Sequence, residues 1–330
     1  MDLRKMNEIL ANEPGFRYKQ IEKAIYADFV ENWDEITNLP KKIREELAKN
    51  CQLAVEAQLF TTKNKTQKAV VTLNDGERIE TVLLRHKDGR NTVCVSSQVG
   101  CALGCEFCAT GTMGLKRNLE VVEIVEQVLL FARILKKEEE NKGITNVVFM
   151  GMGEPFMNYD NVIKSIMILN DKDKFNIGAR KISISTSGLI DGIKKLAKED
   201  LQVNLAVSLH APNEALRTSL MRVNKKNSLE RLLEAVDYYI EKTSRKVMFE
   251  YMMIKDVNDQ DIHARELAGI MNKHLYLVNL ISYNPTGKFK ASDKKRIERF
   301  KHILGTNGVE VTERYGFGQD ISAACGQLVA

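Results

Sequence analysis

The chain has no apolar run long enough to cross a membrane as a helix, which takes about 20 residues. Residues 1–20 are charged and mixed, so the apolar stretch of a secretion signal is missing as well. These two absences lead us to expect a cytoplasmic protein without a membrane partner. In that reducing compartment a standing disulfide framework is disfavoured. The six cysteines, at positions 51, 94, 101, 105, 108 and 325, are therefore buried thiols, metal ligands or catalysts. No internal repeat or low-complexity tract stands out. What remains is a chain of 330 residues, 44% hydrophobic and 28% charged, sized for one large domain and a small accessory one. Its net charge of +5 permits a nucleic-acid partner without demanding one.

Residues 1–50 read as helices, with Ile21, Ala24, Ile25 and Phe29 at helical spacing and a helix start at Pro40 before KKIREEL. The runs AVEAQLF, QKAVVTL and RIETVLL then read as strands, the last two joined by the hairpin signal Asn74-Asp75-Gly76. From about residue 90, short β-branched runs alternate with long helical patterns, beginning TVCVSS, VEIVEQVLLFARILKK, TNVVFMG and NVIKSIMIL. This alternation predicts βαβ units on a parallel sheet. The expected class is α/β, a partial (β/α)6-type barrel over residues 86–330 with a helical-plus-hairpin accessory domain over residues 1–85. A doubly wound sheet is the alternative, because periodicity does not decide closure. Either fold puts its chemistry at the C-terminal ends of the strands.

The loop after the first barrel strand reads CVSSQVGCALGCEFCATG. Cys101, Cys105 and Cys108 form C-x3-C-x2-C, in which three thiolates on one tight loop suit three irons of a [4Fe–4S] cluster and leave the fourth iron open. A structural zinc site is the competing reading. Zinc wants four ligands in a closed tetrahedron; Cys94 could supply one, but no second C-x2-C pair exists and His86 has no matching spacing. A metal site one ligand short at a barrel's strand end has a catalytic layout.

C-x3-C-x2-C in this position resembles the radical S-adenosylmethionine (SAM) superfamily. Together with GMGEP (151–155), SISTSG (183–188), VSLHAP (207–212), VNLISYNP (278–285) and DISAACGQL (320–328), in that order, it resembles the RlmN/Cfr RNA adenosine methyltransferases. The resemblance implies a [4Fe–4S] cluster on Cys101, Cys105 and Cys108, whose open iron binds SAM and reduces it to a 5′-deoxyadenosyl radical. It also implies a SAM pocket from Gly153, Glu154, Ser185, Ser208, Leu209, His210 and Asn284, with Ser187 an alternative to Ser185. Taken alone, Glu154 would be an exposed acid in a strand-to-helix turn, His210 a satisfied structural group, Cys94 a buried thiol and Glu80 a solvent-facing hairpin residue.

The implied reaction uses two SAM molecules. Cys325 takes a methyl group from the first, and the radical made from the second activates that methyl for addition to an adenine ring carbon. Glu80 then accepts the ring proton, and Cys94 releases the product by forming a disulfide with Cys325. The implied substrate is an adenosine of 23S rRNA, methylated at C2 by RlmN-type enzymes, some of which also modify tRNA, and at C8 by Cfr-type enzymes. An electron donor for the cluster and a monomeric chain are further expectations. Pro155 and the loop SSQVGCALGC favour RlmN, whereas Leu115 and FGQDI lean towards Cfr. Arg222 replaces the family's usual proline, and one extra residue separates Glu80 from Cys94. The alternative from another class is a non-enzymatic, metal-bearing RNA-binding protein. Finally, residues 288–301, KFKASDKKRIERFK, hold seven basic residues against two acidic ones, either a solvated helix face or a phosphate contact.

Overall fold

Short runs of valine, isoleucine and threonine form strands here because branched side chains pack well on a pleated surface. The computed structural model describes residues 3–138, 143–314, 316 and 318–330. Tyr315 and Phe317, inside the last strand run and the FGQDI motif, lie outside the described residues, as do Met1 and Asp2 of the first helical stretch. The chain opens with helices α1 (Leu3–Leu10), α2 (Phe16–Tyr26) and α3 (Lys41–Asn50), then strands β1 (Glu56–Thr61), β2 (Gln67–Thr72), β3 (Arg78–Arg85) and β4 (Asn91–Cys94). Gly76 closes the β2–β3 hairpin at φ +84°, where glycine carries no steric penalty.

Around the cysteine loop lie β5 (Gln98–Cys101), α4 (Ala109–Thr112) and β6 (Gly114–Asn118). There follow α5 (Val121–Lys137), β7 (Asn146–Phe149), α6 (Tyr159–Asn170), β8 (Ile182–Thr186), α7 (Ile190–Leu196) and β9 (Asn204–Ser208). The chain continues with α8 (Glu214–Leu220), α9 (Leu229–Thr243), β10 (Val247–Met253), α10 (Asp261–Met271), β11 (Tyr276–Ser282), α11 (Lys294–Thr306) and β12 (Val311–Arg314).

One ten-stranded sheet runs β1-β2-β3-β4-β7-β8-β9-β10-β11-β12. Strands β1 to β4 pair antiparallel. From β4 onward every pairing is parallel, so six strand–helix units end on a seventh parallel strand. The parallel strands follow one another in chain order without the reversal a doubly wound sheet requires. Among the described residues no pairing joins β12 to β4, and the result is the expected partial barrel. Across residue 85 the sheet is continuous, with Val82 of β3 opposite Cys94 of β4.

Side-chain alternation separates the two faces of the barrel sheet. On β8, Ile182, Ile184 and Thr186 are buried, while Ser183 and Ser185 are half-buried. The register sets Ser185 beside Ala206, Ser208 beside Glu250, and Glu250 beside Asn279. A row of small and polar residues therefore lines the inner face. The N-terminal helices have their own core around Ile21, Ile25, Trp33 and Leu47, which takes in Val125 and Leu129 of α5. Arg133 of α5 fastens the two parts by donating to Leu53 C=O at 2.9 Å and Val30 C=O at 2.5 Å. Cys51 lies inside this core, its C=O accepting from Trp33 Nε1 at 2.6 Å.

Candidate active site

The strands' C-terminal ends surround a cavity of about 140 Å³. Cys101 enters it from the end of β5, which pairs antiparallel with β6 through a bulge at Val99/Gly100. Only glycine fits position 100: it takes φ +75°, and a Cβ there would lie 1.9 Å from Gly114 O. The tight turn that follows, with Cys108 N–H donating to Cys105 C=O at 3.1 Å, brings Cys105 and Cys108 to the same cavity.

Burial pushes the Cys101 thiol up to about 11. Burial, with Cys108 and Cys101 as neighbours, drives Cys105 well above the usual thiol range. Thiols held this way become thiolates only beside a compensating positive charge, which a bound metal group supplies. Among the described residues no three His, Cys, Asp or Glu side chains are drawn together tightly enough for a single metal ion. Three sulfurs spread around a cavity wall suit a larger cluster.

Glu154 follows β7 and lines the cavity. It is 2% exposed, and its carboxylate accepts from Ser187 N–H at 2.7 Å and Phe156 N–H at 3.1 Å. Burial raises its pKa, against the backbone hydrogen bond from Ser187. It has no cationic partner among the described residues. A buried carboxylate so placed fits the ammonium of an amino-acid ligand. Gly153 at φ +96° passes so close to Gln98 that a Cβ would lie 2.5 Å from that side chain.

Ser185, Ser187 and Ser208 also line the cavity. Arg217 of α8 ties their loops together, donating to Ser187 C=O at 2.7 Å and Ser208 C=O at 3.3 Å. His210, at φ +55°, packs edge-on against Phe107 with ring centroids 4.7 Å apart. Its Nδ1 accepts from Met252 N–H at 3.1 Å. Burial, with Arg217 nearby, lowers its pKa to about 3, so the ring is neutral. Leu209 differs from its neighbours in the motif: its side chain is fully buried in the main core, and its N–H donates to Glu250 C=O at 3.0 Å.

Cys325 lines both this cavity and a smaller one of about 30 Å³, which Cys94 and Asn284 also line. Burial and the adjacent Cys325 push Cys94 up to about 12. The chain around Cys325 is held at several points. Asn284 Nδ2 donates to Cys325 C=O at 3.1 Å, Ala109 N–H to Gly326 C=O at 2.8 Å, and Thr110 Oγ1 to Leu328 C=O at 2.6 Å. Glu80 lines neither cavity. It is buried beneath this tail, its carboxylate accepting from Lys68 Nζ at 2.7 Å and Val329 N–H at 2.8 Å.

Two charged residues on the inner face escape motif reading. Glu250 sits within the apolar run VMFEYMM of β10 and lines the main cavity, and Arg314 at the end of β12 lines both cavities. An acid inside an otherwise apolar strand was the available signal for Glu250. In the basic run, Lys288 pairs with Glu106, Arg299 and Arg296 with Asp261, Lys294 with Glu298 and Lys301 with Glu313. Much of its charge is thus matched locally.

Against known proteins, residues 95–268 match the radical SAM superfamily profile and residues 1–53 the ribosomal RNA large subunit methyltransferase N-terminal domain. The chain is 47% identical to a probable dual-specificity RNA methyltransferase RlmN of Dictyoglomus thermophilum, over 100% of this chain and 95% of that one. To the protein of the same description from Geobacillus thermodenitrificans it is 46% identical, over 96% and 88% of the two chains. Among solved structures, a radical SAM methyltransferase from Sphaerobacter thermophilus superposes with a TM-score of 0.93 at 44% identity, covering 99% of this chain and 97% of that one. A cysteine loop, strand-end cavity and N-terminal helical module found together are thereby explained: the chain belongs to the radical SAM superfamily and, within it, to the RlmN family of RNA methyltransferases.

Proposed function

We propose that this enzyme methylates C2 of an adenosine in 23S rRNA, and of an adenosine beside the anticodon in tRNA, with Cys325 as the methyl carrier. The observation supporting the reading is that Cys325 borders both the cavity of the cysteine loop and the smaller one of Cys94. Cys101, Cys105 and Cys108 would hold the [4Fe–4S] cluster. Gly153, Glu154, Ser185, Ser208 and His210 would hold SAM, with Glu154 taking its ammonium group. Bound together, cluster and SAM supply a 5′-deoxyadenosyl radical.

The protein's own groups do the rest. The Cys325 thiolate attacks the methyl carbon of a first SAM, becoming a thioether as the demethylated cofactor leaves. It then presents that methyl group for hydrogen abstraction and forms the covalent link to the adenine. Glu80 accepts the ring proton, which requires Val329 N–H to leave its carboxylate and the tail to open as RNA enters. The adduct's unpaired electron would return to the cluster; the Cys94 thiolate then attacks the Cys325 sulfur, the carbon–sulfur bond breaks, the released carbon takes a proton to become the methyl group, and the disulfide left behind is reopened by cellular thiols. Leu209 and Asn284 support the pocket, Leu209 from the core and Asn284 by holding Cys325 C=O.

Mass spectrometry of nucleosides from rRNA and tRNA treated with the enzyme tests the proposal. 2-Methyladenosine in both RNAs is expected, and an 8-methyl product overturns the C2 assignment. Cys325→Ala should abolish the product. Cys94→Ala should accumulate protein crosslinked to RNA, and full turnover by that variant would remove Cys94 from the reaction.

A further inference from the structure

The residues just after the third cysteine of the loop hold the residues just after Cys325. Ala109 N–H donates to Gly326 C=O at 2.8 Å, and Thr110 Oγ1 donates to Leu328 C=O at 2.6 Å. Gly326, at φ +83°, runs so near the loop that a Cβ would lie 3.3 Å from Phe107 O. Helix α4, which carries both donors, is braced on the loop in turn: a Cβ at Gly111 would lie 3.0 Å from Cys105 N. A few residues of chain on either side therefore set the place of Cys325 relative to Cys105 and Cys108. Of the two donors, only the Thr110 hydroxyl belongs to a side chain. Thr110 is 3% exposed and Leu328 4%, and both border the main cavity beside Cys325.

The peptide unit joining Leu328 to Val329 is gripped from both sides. Thr110 holds its C=O, and Glu80 accepts its N–H at 2.8 Å. The two groups point in opposite directions across a trans peptide, so one grip can open while the other stays closed. Proton acceptance by Glu80 requires the N–H grip to open. We infer that Thr110 is a positioning residue: its hydroxyl pins Leu328 and keeps the Cys325 sulfur in register with the cysteine loop while Val329 lets go. Asn284, on the far side of Cys325, holds the Cys325 C=O at 3.1 Å, so the carrier stays fixed on both flanks.

The inference rests on Cys325 being the methyl carrier. Its test compares the cluster-bearing protein with Thr110→Val and Thr110→Ser by two readouts. One is hydrogen exchange at the Gln327 and Val329 amides, which donate to Ala324 C=O and Glu80. The other is the amount of 5′-deoxyadenosine formed per methylated adenosine, which does not depend on how much protein holds its cluster. Thr110→Val keeps the shape and removes the donor. Both amides should then exchange about tenfold faster, equivalent to about 1.4 kcal/mol for a buried carbonyl left without its partner. The ratio should rise several-fold, because a displaced sulfur presents its methyl group out of reach. Thr110→Ser, which keeps the hydroxyl, should restore both readouts. Unchanged exchange in Thr110→Val overturns the inference. So does faster exchange with an unchanged ratio, which would leave Thr110 a structural residue alone. Should Thr110→Val fail to hold its cluster, Gly326→Ala decides from the tail side. Its added methyl strains the backbone at φ +83° against Phe107, the ratio should rise, and no rise overturns the inference. Faster exchange in Thr110→Val together with methylation by Cys325→Ala would instead sink the carrier reading and leave the pinned tail standing.

Discussion

Replacing Lys68 by methionine while Glu80 stays should loosen the chain segment that carries Cys325. The two side chains are 10% and 3% exposed and meet at 2.7 Å, and the second Glu80 oxygen accepts Val329 N–H at 2.8 Å. A buried pair that loses one member leaves an uncompensated charge, at a cost of about 3–5 kcal/mol. Lys68→Met should fall towards the lower end, since a stranded carboxylate escapes part of the penalty by taking up a proton. Glu80→Gln strands the ammonium and should cost a similar amount. The double variant removes both charges, so its loss should fall short of the sum of the single losses by about 1–3 kcal/mol. Urea unfolding midpoints of the four proteins measure this coupling, and hydrogen exchange over residues 323–330 reads the tail directly. Losses that add to within about 0.5 kcal/mol would show the pair uncoupled and refute the reasoning. Unaltered exchange at the tail in Lys68→Met would show that Val329 is held elsewhere.

Three further outcomes can be checked. His210 has its pKa lowered from 6.5 to about 3, mainly by burial; its contribution is therefore complete above pH 6.5 and is lost as pH falls towards 3, at about 1.4 kcal/mol per unit. His210→Gln should shrink the stability difference between pH 7 and pH 5 by about 2 kcal/mol, and an undiminished difference would contradict a neutral buried ring. Gly100→Ala would force a methyl group against Gly114 O, 1.9 Å away, at φ +75°; iron bound per chain should drop severely after reconstitution, and full iron content would rule this steric argument out. Charge reversal of Lys294, Lys295 and Arg296 should weaken RNA binding and flatten the slope of log affinity against log salt by up to about 2, whereas unchanged binding rejects α11 as a phosphate contact.

The barrel was readable because each parallel strand is a short β-branched run with a helical pattern behind it. NVVF, for one, falls inside the expected run TNVVFMG. β5 and β6 were not readable, because four or five residues on either side of a glycine bulge carry no period to detect. Helix α8 escaped for a similar reason, being seven residues long with its arginine turned inward to satisfy two loops. In the site, the cysteine triplet is local in sequence and so was legible. The environment of Glu80 was not: it looked like a solvent-facing strand residue because the residues covering it lie at the other end of the chain. Arg314 and Glu250 share this limitation, since their meaning comes from a curved sheet that sets β8, β10 and β12 around one cavity.

The contacts that fasten the tail span large stretches of chain. Thr110 to Leu328 closes 218 residues, Glu80 to Val329 closes 249, and Lys68 to Ser322 closes 254. During synthesis at about 5–20 residues per second, the cysteine loop and the parallel strands up to β11 emerge before Cys325 does. Until then the small cavity has Cys94 but no second thiol, and Glu80 lies uncovered. The order of translation thus completes the small cavity and covers Glu80 only after most of the barrel has been made.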